Sequence, residues 1–276
     1  MHFHPLYQGK DGDQGGSMIF LTHGGGPLPL LGDPRHRELL QFLRWIPSTL
    51  MVPSAIIVIS AHWEEALPTL TGGSAPELFF DYYGFPEESY AITYPAPGAR
   101  QLAEEIQQLF REEGQAANLD DHRGFDHGVF IPLKIMYPKA DIPCIQISLL
   151  DSLDAEEHIN MGRLLQRLDR ENLLIIGSGS SFHNLRAFRE PPTGPSRQAN
   201  EEFEGWLTTT LSAESIGEEQ RQQLLQQWQE APSARFCHPR QEHLLPLHVC
   251  YGIAGRPASR IYSMEVMDKK VSAYIW

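Results

Sequence analysis

Short apolar runs alternate with amphipathic segments along most of the chain. The runs at 18–22, 55–60, 143–149 and 173–177 are rich in Ile, Leu and Val and show little polar alternation, which is typical of strands buried on both faces of a sheet. Between them, the segments 34–45, 98–113 and 155–170 repeat apolar residues at helical spacing. Strands that alternate with helices predict an α/β domain with a central, largely parallel or mixed sheet flanked by helices.

The last third of the chain predicts more helix and then a return to strands. The segments 196–211 and 218–230 are amphipathic, a further helix is expected after Pro239, and strands are expected at 259–264 and 271–276. No internal repeat or low-complexity linker divides the chain, so we expect a single domain over 18–276 after a polar leader over 1–17. An aromatic-rich insertion at 76–97 is either a cap that faces a substrate or plain packing.

Composition narrows the class of partner. The 276 residues carry a formal net charge of −13 and are 41% hydrophobic, which suits a soluble globular protein and disfavours nucleic acid as a partner. No segment reaches the ~20 apolar residues that cross a bilayer. Three dispersed cysteines without a CxxC pattern are expected to be reduced thiols. These features favour a cytoplasmic protein that binds a small molecule and does not associate with a membrane. They do not distinguish a monomer from a dimer.

Histidines fall where the predicted strands end. His23 ends the first run, His62 ends the second, His183 follows the run at 173–177, and His127 precedes a helical stretch. The carboxyl ends of parallel strands meet at one edge of a sheet, where α/β proteins bind ligands, so we expect these side chains to converge. Several neutral imidazoles around one crevice indicate a divalent metal ion, and imidazole suits both Fe(II) and Zn(II).

A catalytic metal site needs about three protein ligands together with open coordination positions. His23 and His62 are candidates for two ligands, and His238, just before the expected helix start, or Glu242 is a candidate for the third. His243 competes with His238 for this position.

The remaining polar residues near these motifs suggest secondary roles. His127 and His183 would be free to transfer protons and polarise a substrate, and Gly24 and Gly25, which carry no side chain, would let substrate approach the metal closely. Asp126 is a candidate to orient the His127 ring from behind. Five more histidines in polar contexts are expected at the surface, namely His2, His4, His36, His122 and His158. Three arginines near the motifs are expected either to bind a carboxylate or to lie at the surface, namely Arg123, Arg186 and Arg240.

Five motifs in this order resemble the class III extradiol ring-cleavage dioxygenases, the LigB-like family, and most of all the branch that contains the 4,5-DOPA dioxygenases. The resemblance runs from about residue 18 to the end of the chain. The motifs are THGGGP at 22–27, SAHWE at 60–64, DHGVFIPL at 126–133, GSGSSFHNL at 177–185 and HPRQEHLLPLHV at 238–249. One departure is Gly25-Gly26 where many relatives have Ser-Pro, which removes a possible hydroxyl contact with substrate.

The resemblance implies a non-haem Fe(II) enzyme, with Zn(II) as an alternative metal, that opens a catechol ring beside its diol with O2. DOPA, cleaved at the 4,5 bond to seco-DOPA, or a similar catecholic acid would be the substrate. By the same resemblance the metal ligands are His23, His62 and His238, with Glu242 and His243 as rivals for the third position and His183 as a possible fourth ligand. His183 and His127 match the catalytic residues, and Gly24, Gly25, His127 and His183 would contact substrate.

Two other functions use the same residues. A zinc-dependent hydrolase would need a carboxylate base near the metal, for which Glu64 is the candidate. A non-enzymatic metal-binding or small-molecule-binding relative is the second alternative, which the presence of all five motif histidines disfavours.

Overall fold

One mixed β-sheet forms the centre of the protein. The computed structural model describes residues 7–8, 18–191 and 193–276. In these residues the strands are β1 (Tyr7–Gln8), β2 (Met18–Thr22), β3 (Ala55–Glu65), β4 (Thr69–Thr71), β5 (Asn118–Asp120), β6 (Cys144–Leu150), β7 (Leu173–Gly179), β8 (Arg260–Val266) and β9 (Lys269–Ile275). They lie in the order β1-β8-β9-β2-β7-β3-β6-β4-β5.

The helices follow the sequence periodicity closely, apart from the one expected directly after Pro239. They are α1 (Arg37–Trp45), α2 (Arg100–Glu112), α3 (His127–Met136), α4 (Ala155–Leu165), α5 (Pro195–Ser212), α6 (Glu218–Gln226), α7 (Ala234–Cys237) and α8 (Leu245–Ala254). The helix expected directly after Pro239 begins only at Leu245, because residues 241–244 form a turn instead. This delay decides which histidine of the last motif reaches the sheet edge.

The four inner strands run parallel, which confirms the predicted architecture. β2 pairs with β7, β7 with β3, and β3 with β6, all in parallel. The pairs β2–β9, β8–β9 and β1–β8 on one side, and β4–β6 on the other, are antiparallel. The inner strands are buried along nearly their whole length, as their unbroken apolar runs predict.

The polar leader expected at 1–17 is described only at Tyr7–Gln8, which pairs with β8. The rest of that segment lies outside the described residues.

Helices cover both faces of the sheet, and β7 shows how. The Ser178 hydroxyl donates a hydrogen bond to the backbone carbonyl of Gly128 in α3, whereas a side chain on the preceding Gly177 would meet Pro246 and Cys250 of α8. Neighbouring residues of a strand point to opposite faces, so α3 and α8 lie on opposite sides. Within the described residues, no helix has both the length and the hydropathy that crossing a membrane requires.

Two histidines expected at the surface are buried. His36 and His158 have no exposed surface, so those two predictions were wrong. The Nε2 atom of His36 accepts a hydrogen bond from the backbone N–H of Gly25 at 3.1 Å, which ties the start of α1 to the glycine turn after β2. An acceptor nitrogen must be unprotonated, and burial accordingly lowers the pKa of His36 to about 4.

The buried His36 predicts a specific loss of stability in acid. The unfolded chain protonates this imidazole below about pH 6.5, and the folded chain does so only below about pH 4. Its contribution to the free energy of unfolding is therefore complete above pH 6.5 and falls by about 3 kcal/mol as the pH drops to about 4. We expect His36→Gln to flatten the pH dependence of urea unfolding of the metal-free protein over this window.

The matched control is His122→Gln, because the His122 side chain is exposed. An equal change of slope in both variants, or none in His36→Gln, would contradict the assignment.

Candidate metal centre

Three imidazoles meet at the carboxyl ends of β2 and β3. His23 directly follows β2, and its backbone N–H donates to the carbonyl of Gly179 at 3.3 Å. His62 lies in β3 where the pairing with β6 shifts register between Ile59 and Glu64, an irregularity of the kind that re-aims side chains next to active sites. His243 comes from the turn before α8. One nitrogen from each of these three residues lies within 4.8 Å of the others.

The GSGSS motif brings His243 onto the sheet. The backbone N–H of Ser180 donates to the carbonyl of His243 at 2.9 Å. A Cβ atom on Gly179 would stand 2.1 Å from that carbonyl oxygen, so only glycine allows the two backbones to approach this closely. The motif that precedes His183 thus also holds the third imidazole in place.

Polar contacts behind the rings of His23 and His62 bear on where their lone pairs point. The Ser178 hydroxyl donates to Gly128, so it accepts from Nδ1 of His23, which lies 3.0 Å away. Nδ1 of His62 faces a carboxylate oxygen of Asp81 at 3.4 Å. The Ser178 hydroxyl therefore places the proton of His23 on Nδ1 and its lone pair on Nε2, and the carboxylate of Asp81 favours the same tautomer in His62. The two Nε2 atoms are 3.0 Å apart, close enough for one metal ion to bind both, so this donor set fits a metal ion.

The electrostatics of the cluster keep the imidazoles neutral. Burial lowers the pKa of His23, His62 and His243 well below the usual imidazole value, and the neighbouring imidazoles lower it further. All three rings are uncharged at neutral pH and can donate their lone pairs to a metal ion.

The structure does not bring His238 into this cluster. Its ring is fully buried between Phe203 and Trp228, with centroid distances of 5.3 and 6.0 Å, and its Nε2 lies 2.8 Å from the carbonyl oxygen of Ser181. The choice of His238 as third ligand is therefore corrected in favour of its rival His243. The physical reason is the turn at 241–244, which carries His243 and not His238 to the sheet edge.

The other rival, Glu242, supports the cluster from behind. Its Oε1 lies 2.9 Å from Nδ1 of His243.

His183 and His127 flank the three imidazoles, as their motifs predict. The His183 ring stacks on His243 with centroids 3.4 Å apart, and the His127 ring lies 3.9 Å from that of His62. Nδ1 of His127 contacts Asp81 at 2.8 Å. Asp126, expected to orient His127, instead accepts from Ser60 and Gln146. The orienting residue is thus Asp81, which the sequence did not reveal because a loop brings it from 46 positions upstream.

A cavity of about 960 Å³ opens over the imidazoles. Gly24 and Gly25 line it, as expected, together with Tyr82, Tyr83 and Phe85 from the insertion at 76–97. These aromatic contacts favour the substrate-facing interpretation of the insertion over plain packing. Gly24 has a second role, because its φ is +87° and a Cβ atom at this position would stand only 2.6 Å from Pro29, which leaves no room for a side chain.

Two of the arginines near the motifs already contact other side chains. Arg123 lies between the rings of Trp63 and Phe79, with its guanidinium 5.0 and 4.5 Å from their centroids. Arg240 forms a bidentate pair with Glu64 at 2.7 and 2.6 Å.

Two further arginines, which the sequence pattern did not single out, line the cavity. Arg35 is paired with Asp33 at 2.7 Å. Arg189 makes no ion pair among the described residues and is exposed to the cavity. A short helical turn at Ala187–Arg189 places it there, and its sequence context carries no signal of this position.

Comparisons with known proteins identify the family of the chain. The family described as the catalytic LigB subunit of aromatic ring-opening dioxygenase matches residues 18–274. The chain is 40% identical to the dioxygenase tasH of Hapsidospora irregularis, over 94% of this chain and 85% of that protein. It is 37% identical to the 4,5-DOPA dioxygenase extradiol of Portulaca grandiflora, over 93% of each protein.

A solved structure shows the same fold. The crystal structure of an uncharacterized protein from Escherichia coli K12 superposes with a TM-score of 0.71 at 28% identity, covering 94% of this chain and 98% of that one. With a family match across almost the whole chain and relatives at this level of identity, the protein belongs to the LigB family of aromatic ring-opening dioxygenases.

Proposed function

We propose that the protein is a non-haem Fe(II)-dependent extradiol dioxygenase that opens the ring of a catechol with O2, with DOPA, cleaved at the 4,5 bond, or a similar catecholic acid as substrate. The observation that carries this proposal is the convergence of three neutral imidazoles at one sheet edge with two further histidines beside them. Relatives named 4,5-DOPA dioxygenase extradiol support the choice of substrate.

His23, His62 and His243 would hold the metal ion. When bound, Fe(II) would lower the pKa of the catechol hydroxyls and connect the ring electronically to O2. Three protein ligands leave positions for the diol and O2.

The two flanking histidines would move the protons. Nδ1 of His183 faces Glu242 at 3.3 Å and Nδ1 of His127 faces Asp81 at 2.8 Å, so each ring has Nε2 left to exchange a proton with bound substrate. His183 would take the proton of a catechol hydroxyl and return it as the ring opens, with His127 as a second donor. Tyr82 and Phe85 would hold the aromatic ring and exclude water.

The ion pair between Glu64 and Arg240 weighs against a zinc hydrolase. That activity requires a free carboxylate base beside the metal, and Glu64, the candidate for it, is held by both terminal nitrogens of Arg240. The cavity favours an anionic catechol instead, since Arg189 offers a guanidinium without an ion-pair partner in the described part of the chain.

The activity itself is the first test. Metal-free protein reloaded anaerobically with Fe(II) should consume O2 and form a yellow product when L-DOPA is added in air, and Zn(II)-loaded protein should not. His183→Gln should lower kcat by about 10²- to 10⁴-fold, because it removes the proton acceptor, while bound iron stays stoichiometric. The control is His122→Gln. Absence of O2 uptake with every catechol tested, despite one iron per chain, would overturn the proposal.

The third ligand is tested by metal content. His243→Ala should lose the metal during dialysis, because it removes one of three ligand imidazoles. His238→Gln should retain it, since an amide can still donate to Ser181 in place of the imidazole. Metal analysis, with circular dichroism to verify folding, checks both variants. Retention in His243→Ala together with loss in folded His238→Gln would make His238 the third ligand instead.

Recognition of the acid group is tested at Arg189. We expect Arg189→Gln to raise KM for L-DOPA roughly tenfold, because one charge-assisted hydrogen bond to a carboxylate is lost. KM for unsubstituted catechol should not change. Arg186→Gln is the matched control, since Arg186 is exposed but does not line the cavity. An equal rise of KM for both substrates would show that Arg189 does not bind the carboxylate of L-DOPA.

A further inference from the structure

Two carboxylates each lie between two imidazoles of the site. Asp81 presents Oδ1 to Nδ1 of His127 at 2.8 Å and Oδ2 to Nδ1 of His62 at 3.4 Å. On the other side of the cluster, Glu242 presents Oε1 to Nδ1 of His243 at 2.9 Å and to Nδ1 of His183 at 3.3 Å. Each carboxylate thus contacts one candidate metal ligand and one flanking histidine.

We propose that Asp81 and Glu242 are positioning residues that hold all four rings in the tautomer protonated at Nδ1. A carboxylate only accepts hydrogen bonds, so every Nδ1 that faces one must carry the proton. The lone pairs of His62 and His243 are thereby directed from Nε2 to the metal, and those of His127 and His183 are left for substrate. The part that concerns substrate rests on the proposed function, whereas the part that concerns the metal does not.

The two carboxylates differ in which of their oxygens contact the imidazole rings. Asp81 uses a separate oxygen for each ring, and its Oδ1 also accepts from the backbone N–H of His127 at 3.0 Å. Glu242 serves both rings with Oε1 alone, while its Oε2 lies 3.4 Å from Arg240 and has no hydrogen-bond partner among the described residues. Both side chains are largely buried, with 12% of their surface exposed, so water does not readily replace either acceptor.

This difference predicts unequal effects of replacing each carboxylate by its amide. In Asp81→Asn the single oxygen stays with the two N–H groups of His127, and the amide NH2 faces Nδ1 of His62. Two donors cannot face each other, so His62 changes to the tautomer protonated at Nε2, and its lone pair no longer points to the metal. In Glu242→Gln the single oxygen can continue to accept from both rings.

The experiment measures zinc affinity and imidazole tautomers in the full-length protein. We expect Asp81→Asn to weaken Zn(II) binding, measured by competition with a chelating dye, by about 10- to 100-fold, and Glu242→Gln to weaken it by less than about threefold. Nitrogen-15 NMR of the histidine rings of the metal-free protein should show Nδ1 protonation of all four rings in the wild type and a change at His62 in Asp81→Asn. Asp151→Asn, at an exposed aspartate, is the matched control.

The outcomes separate this inference from the proposed function. Unchanged zinc affinity and an unchanged His62 tautomer in folded Asp81→Asn would overturn the inference, as would equal effects of the two amide substitutions. Neither measurement uses a catechol, so the role of Asp81 can be confirmed in a protein that does not consume O2. An active enzyme whose zinc affinity and His62 tautomer do not change in Asp81→Asn would refute that role.

Discussion

The close approach of neighbouring imidazole nitrogens is the constraint on which the site depends. Two Nε2 atoms lie 3.0 Å apart, and the protein must hold both rings in the orientation that brings them together. It does so with groups behind the rings, namely a serine hydroxyl behind His23 and a carboxylate behind His62. Burial opposes the alternative of protonating the rings, since it lowers their pKa. The cluster is therefore preorganised for a metal ion.

The parallel core supplies the rigid frame for this arrangement. β2, β7 and β3 end side by side, so residues far apart in sequence reach the same edge without long connections across the cavity. Close backbone contact between β7 and the turn before α8 adds His243 from the opposite end of the chain. The site is thus built on strands and on turns anchored to strands, which hold geometry more precisely than free loops.

Sequence periodicity predicted the sheet and most of the helices because buried parallel strands and amphipathic helices leave strong patterns. It also predicted that His23, His62, His127 and His183 would converge, since strand ends are readable from the same patterns. The choice of the third imidazole was wrong because a turn, which has no periodicity, decides whether His238 or His243 reaches the cluster. Asp81 could not be predicted, since its contacts with His62 and His127 arise from folding of a loop with no metal-ligand motif.

The insertion at 76–97 has a consequence for how enzymes of this kind diversify. It carries Asp81 immediately before the aromatic residues Tyr82 and Tyr83 that line the cavity. A change in the length or path of this loop that reshapes the cavity for a new ring substituent therefore also moves the carboxylate that supports the candidate metal and proton-transfer residues. Single substitutions at the aromatic positions can alter selectivity while Asp81 stays in place, whereas grafting the whole loop from a relative would exchange selectivity and metal retention together. Evolution of new substrates on this scaffold is expected to proceed by point changes within a loop of constant length.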